Sequence, residues 1–283
     1  MGNRISKTKQ IANCTFHYYE KGKGSPILFL HGWLHSGVVW SEVTDFFSSD
    51  YTTIEVDLPG FGKSSAIDSV DFSLTDYGEY LYHFISEVTY GKQKPIIVAD
   101  SLSAILCLQI LQEQNFRYRH LFLMGCPLDG LPFYISILSR TNSLKLFLPV
   151  VRSLPDWIIN VFVKHLNYVT LWNRSINAKP LINSAKRADP RSAQNLLALI
   201  SGPYKPIINN LTENITLIRG NHDRLVQIKT LKKLSSCLNN APIIEIPDSG
   251  HSVMLENPLK LIECISNHLK KHESGKKIPR RIY

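Results

Sequence analysis

Three side chains in this sequence are of the types that nucleophilic catalysis needs: Ser101, Asp223 and His251. A serine hydroxyl is a poor nucleophile near neutral pH and needs an imidazole within hydrogen-bond reach to take its proton. The imidazole in turn needs a carboxylate to fix its tautomer and stabilise its cation. Ser101 ends the apolar, β-branched run Pro95-Ile96-Ile97-Val98-Ala99-Asp100 and precedes a long apolar segment with helical spacing. A serine placed there can stand on a sharp strand-to-helix turn with its hydroxyl lifted clear. Such a turn presses backbone against backbone, so the residues two before and two after must be small. Ala99 and Ser103 fill those positions. Moving the nucleophile to Asp100 would put Val98 and Leu102 there, neither of them small, so Ser101 is the expected nucleophile. His251 is the expected base and Asp223 its acid, with Asp248 as the competing carboxylate.

These residues are far apart in the chain, so the elements between them must bring them together. Apolar runs at 14–20, 26–30, 52–56, 95–98, 120–124, 215–218 and 242–246 read as strands. Segments with helical spacing at 38–47, 74–88, 102–111, 227–238 and 258–271 alternate with them, the second entered through Ser73 as a helix cap. Alternation of this kind implies a mostly parallel, doubly wound α/β sheet. It fails between residues 128 and 206, where helical patches at 133–148, 156–166 and 192–200 are separated by Pro149, Pro155, Pro180 and Pro190. That interval is expected as an inserted helical cap, giving a core of residues 1–127 and 207–283 around an insertion of 128–206. Every segment that could carry chemistry follows the C-terminal end of an expected strand, where open α/β sheets place their sites.

The chain resembles the α/β-hydrolase fold superfamily across nearly all its length. The residues carrying the match are His31-Gly32 after a strand, Asp57-Leu58-Pro59-Gly60-Phe61-Gly62, the turn at Ser101, Gly220 through Asp223, and Gly250-His251. The resemblance implies an oxyanion hole from the backbone N–H groups of Leu102 and Trp33, and a lid made by the helical insertion. The family usually flanks its serine with glycines, where this chain has Ala99 and Ser103. His31 is expected to order the oxyanion loop, Asp57 to anchor its own turn, and the side chain of His222 to point away from the site. His35, Phe133, Trp157 and Trp172 are candidate substrate contacts. They belong to an aromatic and apolar set that also includes Tyr134, Phe162, Tyr168 and Tyr204.

The expected activity is cofactor-free cleavage of an ester, thioester or related acyl bond in a fairly apolar small molecule. A carbon–carbon hydrolase or lyase-like synthase using the same residues remains open, as does a non-enzymatic ligand binder of the same fold. The net charge of +9 gathers partly in a C-terminal stretch with Lys270, Lys271, Lys276, Lys277, Arg280 and Arg281, read as a solvated basic tail. Neither aromatic-basic interleaving for nucleic acid nor a metal-ligand cluster is found. Cys14, Cys107, Cys126, Cys237 and Cys264 are scattered, odd in number and mostly within apolar runs, which points to reduced thiols in a reducing compartment. The polar N-terminal stretch lacks the apolar core of a signal peptide, so a cytoplasmic location is expected. Met1-Gly2-Asn3-Arg4-Ile5-Ser6 fits an N-myristoylation pattern, which gives membrane association only if Gly2 is acylated.

Overall fold

The computed structural model describes residues 3–68, 72–114, 116–141, 143–166, 171–172, 176–205 and 214–274. Gly2, Tyr168, the basic residues after 274 and the expected boundary at 206/207 lie outside them, as do the side chains of Tyr134 and Phe162.

An eight-stranded sheet runs in the order β1-β2-β4-β3-β5-β6-β7-β8. Its strands are β1 (Ile5–Ile11), β2 (Cys14–Lys21), β3 (Ser25–Leu30), β4 (Tyr51–Asp57), β5 (Ile96–Asp100), β6 (His120–Met124), β7 (Ile215–Gly220) and β8 (Ile243–Ile246). β1 and β2 pair antiparallel, and β2 lies antiparallel on β4; from β4 onward all neighbours are parallel. The parallel strands read as unbroken apolar runs because both faces are covered. Alternate residues divide between two cores. Leu28, Leu30, Ile97, Ala99, Leu121 and Leu123 face one apolar cluster, whereas Ile27, Phe29, Ile96, Val98, Phe122 and Met124 face the other. Each of the larger side chains contributes about 1.5–3 kcal/mol on full burial.

On the first face lie α2 (Leu74–Thr89) and α3 (Leu102–Glu113), which supply Leu81, Phe84, Ile105 and Leu108 to that core. α2 starts at a complete capping box: Ser73 Oγ accepts the Asp76 N–H, and the Asp76 carboxylate accepts the Ser73 N–H. The second face is covered by a 3-10 turn at Gly37–Trp40 with α1 (Ser41–Phe47), and by α11 (Pro258–Ser274) through Leu261, Ile262, Ile265 and Leu269. α9 (Ile228–Cys237) and the single turn α10 (Val253–Glu256) complete the framework.

Between the paired strands β6 and β7 the chain runs through α4 (Phe133–Arg140), α5 (Ser143–Ser153), α6 (Asp156–Leu166), α7 (Lys179–Arg187) and α8 (Pro190–Ser201). The helical patch expected at 133–148 is two helices, and α7 was not foreseen. Several contacts tie α7 and α8 to the loops at the strand ends. Trp33 Nε1 donates to the Ala193 carbonyl at 2.9 Å, the Ser36 and Ser184 hydroxyls meet at 2.6 Å, and the Asp189 N–H reaches the Gly60 carbonyl at 2.7 Å. Gly60 must be glycine here. Its φ is +82°, and a Cβ would lie 2.3 Å from that of Ser192. Among the described residues, no helix is long and apolar enough to cross a membrane.

Candidate functional site

The strand β5 ends at Asp100, and α3 begins at Leu102, so Ser101 alone makes the turn between them. Its backbone sits at φ +53° and ψ −107°, a strained conformation for a residue with a Cβ. The turn is held on every side. The Ser101 N–H donates to the Met124 carbonyl at 2.8 Å, and the Ser101 carbonyl accepts the N–H groups of Ala104 and Ile105. Ser103 has a use that a glycine could not supply. Its Oγ accepts the Asp100 N–H at 2.8 Å and donates toward the Leu30 carbonyl at 2.9 Å, stitching the ends of β3 and β5 together. Ala99 is wholly buried, in register with Leu30 and Leu123 on the neighbouring strands.

The acid stands in the loop after β7. Asp223 Oδ1 accepts the N–H groups of Leu225 at 2.8 Å and Val226 at 2.9 Å, and the Arg219 guanidinium donates to the Asp223 carbonyl at 3.0 Å. Its remaining oxygen, Oδ2, accepts the Nδ1–H of His251 at 2.8 Å. Asp223, not Asp248, therefore fixes the imidazole. His251 follows β8 in a loop closed by Glu256, whose carboxylate accepts the Gly250 N–H at 2.7 Å and the Trp172 N–H at 2.6 Å. The His251 ring packs closely against Gly125, the residue after the Met124 that anchors Ser101. A Cβ on Gly125 would come within 2.7 Å of Cε1 and 2.9 Å of Nδ1, and the φ of +51° suits glycine as well.

With Nδ1 engaged, Nε2 of His251 is left buried and without a protein partner. Burial opposes charge on this ring, but the carboxylate of Asp223, then those of Asp100 and Glu256, outweigh it and push the imidazole pKa upward. The Ser101 hydroxyl is not hydrogen-bonded to it; the two residues are linked through Met124, whose carbonyl holds the Ser101 N–H, and Gly125, against which the imidazole packs. A carboxylate-bound imidazole with a free Nε2 can take a proton from a hydroxyl that comes within reach and return it to a leaving group.

His31 orders the loop after β3. Its Nδ1–H donates to the Gly32 carbonyl at 2.7 Å and its Nε2 accepts the Leu58 N–H at 3.0 Å, so both ring nitrogens are spent. Burial holds its pKa down to about 4, which keeps it neutral. Leu34, at φ +58°, is a second strained residue beside the site. Asp57 is the anchor expected of it: its carboxylate accepts from Gly37 N, Lys63 N and His17 Nδ1. Leu102 occupies the first position of α3, where a helix leaves its N–H groups without intrahelical partners.

The candidate substrate contacts scatter. His35 lies 4.0 Å from the Asp100 carboxylate through Nδ1. Trp172 stacks on His222 at 3.7 Å between centroids, with Arg224 against its ring, so it borders the loop that carries Asp223. Phe133 is 75% exposed at the head of α4. Trp157 lines a groove with Ile176, Ala178 and Ile182 that contains none of Ser101, Asp223 and His251. Tyr204 is tied to the core, its hydroxyl donating to Gln109 at 2.9 Å. Sequence reasoning missed the roles of Gly125 and Glu256; the glycine after β6 carried a signal, since the strand stops there. Asp100 was weighed there only as a rival nucleophile.

A family model described as alpha/beta hydrolase fold matches residues 25–258. Protein PHYLLO, chloroplastic, of Arabidopsis thaliana is 29% identical over 280 residues, covering 90% of this chain; the chain spans only 16% of that protein's length. A pimeloyl-[acyl-carrier protein] methyl ester esterase of Aliivibrio salmonicida is 36% identical over 274 residues, covering 90% of this chain and 96% of the relative. Among solved structures, the Cif epoxide hydrolase from Acinetobacter nosocomialis superposes with a TM-score of 0.78 at 21% identity, covering 94% of this chain and 89% of its own.

Proposed function

This chain belongs to the alpha/beta hydrolase fold family, and we propose that it is a serine hydrolase of carboxylic esters or thioesters with a fairly apolar acyl group. Ser101 Oγ attacks the acyl carbonyl while His251 Nε2 takes its proton, and Asp223 stabilises the imidazolium that forms. The oxyanion is received by the backbone N–H groups of Leu102 and Trp33, each such donor contributing on the order of 10²–10³ in turnover. His251 then gives its proton to the departing alkoxide or thiolate. Water, deprotonated in turn by His251, attacks the acyl-enzyme and releases the acid and Ser101.

The observation that carries this reading is the 2.8 Å His251–Asp223 bond, which leaves Nε2 unspent in a ring packed on Gly125, next to the Met124 whose carbonyl holds the strained turn of Ser101. The Aliivibrio relative named as a methyl ester esterase supports the ester class over carbon–carbon cleavage. The helices α4 to α8, of which α7 and α8 are tied to the strand-end loops through Trp33, Ser36 and Gly60, act as the cap over the substrate. The cysteines are all unpaired thiols, which supports a reducing, cytoplasmic setting.

The test is a panel of short- and medium-chain alkyl esters offered to the wild type and to Ser101→Ala. The wild type turns over at least the apolar members, and the variant loses that activity while keeping its melting temperature. Equal turnover by the two proteins would exclude Ser101 as nucleophile.

A further inference from the structure

Buried carboxylates in this fold are otherwise well provided for. Asp57 accepts from Gly37, Lys63 and His17, and Asp223 from Leu225, Val226 and His251. Among the described residues Asp100 is the exception. Its side chain is 1% exposed, yet neither Oδ1 nor Oδ2 has a protein partner. Nδ1 of His35 lies 4.0 Å from Oδ2, beyond hydrogen-bond distance and likewise without a partner. Buried polar groups are normally hydrogen-bonded, so a cluster of unspent ones next to a reactive serine calls for a ligand.

The position of the cluster says which part of a ligand it meets. A Cβ built on Gly32 would lie 2.7 Å from Asp100 Oδ2 and 3.2 Å from the Ser101 Cβ, so carboxyl and serine flank the same face of the loop after β3. That loop continues into Trp33, the proposed oxyanion donor, and His35 closes its far end by donating its N–H to the Gly32 carbonyl at 3.2 Å.

We propose that Asp100 and His35 form a polar subsite beside Ser101 that receives a second oxygen of the substrate's acyl chain, a keto or carboxylate oxygen a few atoms from the scissile carbonyl. The inference rests on the serine-hydrolase reading above. Charge selects the class of group. An ionised Asp100 beside the oxyanion loop would repel the negative charge that develops there, and a buried ammonium would face the imidazolium forming on His251. Burial, reinforced by the Asp223 charge and opposed by His251, raises Asp100 to about 7, and burial keeps the His35 ring neutral at about 3. The neutral imidazole offers a donor hydrogen, and the carboxyl offers a second one in its protonated form, so an acceptor oxygen is their complement. His31, the remaining titratable neighbour, has both nitrogens engaged and does not compete.

The experiment compares ethyl 3-oxobutanoate and ethyl 4-oxopentanoate with ethyl butanoate and ethyl pentanoate, pairs that differ by one carbonyl. The wild type prefers at least one oxo ester in kcat/KM by about tenfold or more, as a site left with unpaired polar groups discriminates against the plain analogue. Asp100→Leu and His35→Phe collapse that ratio, whereas Asp100→Asn, which keeps a donor, preserves most of it. A merely structural brace between Asp100 and His35 would lower both members of each pair equally, and that result overturns the inference. A second arm is independent of turnover: NMR titration of Ser101→Ala with 4-oxopentanoate and pentanoate. Tighter binding of the oxo acid, lost when Asp100→Leu is added, supports the subsite even where no ester is cleaved; equal binding of the two acids rejects it. Failure of the folded wild type to cleave any of the four esters counts against the hydrolase reading instead.

Discussion

Asp223 gives one carboxylate oxygen to the backbone N–H groups of Leu225 and Val226 and the other to His251 Nδ1 at 2.8 Å. The carboxylate is thus oriented before it orients the imidazole, and no rotation of Asp223 can free His251 without breaking bonds in the loop after β7. Asp223→Asn keeps the shape but permits the wrong imidazole tautomer, so kcat for an ester should fall by roughly 10⁴. Asp248→Asn should change it little, because Asp248 is not the partner of His251. Steady-state kinetics on the two variants checks this; an equal loss in both would reassign the acid.

The position of His251 depends on Gly125. Alanine there puts a Cβ within 2.7 Å of the imidazole and strains a backbone at φ +51°. Gly125→Ala should cut kcat by on the order of 10², the scale of a misplacement of about 1 Å, with a smaller change in KM. A variant with unaltered kcat would show that the ring does not rest on this residue during turnover.

The pH dependence follows from the sign of the His251 shift. The base works only when neutral, and its pKa is pushed up despite burial, chiefly by Asp223. Activity must therefore rise with pH, with the midpoint of the acid limb above the ordinary imidazole value of about 6.5. A profile of kcat/KM against pH measures it directly. Asp223→Asn should move the midpoint of the residual activity downward, and a wild-type limb centred below the ordinary value would contradict the electrostatics.

Ser103 replaces a glycine of the family pattern and carries a load of its own. Ser103→Ala leaves the Asp100 N–H and the Leu30 carbonyl without their side-chain partner, so the unfolding free energy should drop by about 1–3 kcal/mol. Urea denaturation reads this, and an alanine variant as stable as the wild type would mean that the stitch between β3 and β5 is not needed.

The sheet was legible because parallel strands such as 26–30 and 120–124 must be apolar on both faces, and few other segments are. The pairing of Asp223 with His251 was legible for a related reason: each follows a strand end, and strand ends meet at one edge. β1 escaped because Ile5–Ile11 carries Lys7 and Lys9 on the sheet edge and only one buried residue. α7 escaped because Leu181 and Ile182 are its only large apolar residues, too few for a visible period. Aromatic character alone did not locate the candidate contacts. Trp172 borders the Asp223 loop, while Phe133 and Trp157 stand largely in solvent. The meeting of Asp100 with His35 depends on how the loop after β3 folds back over Gly32, which no spacing in the sequence encodes.

Whether Ser101 is an activated nucleophile is read by a fluorophosphonate probe with peptide mapping by tandem mass spectrometry. The wild type should carry one adduct, on the Ser101 hydroxyl. Labelling should disappear in Ser101→Ala and slow strongly in His251→Ala. An unlabelled Ser101 in folded protein, or an adduct on a different residue, would contradict the account.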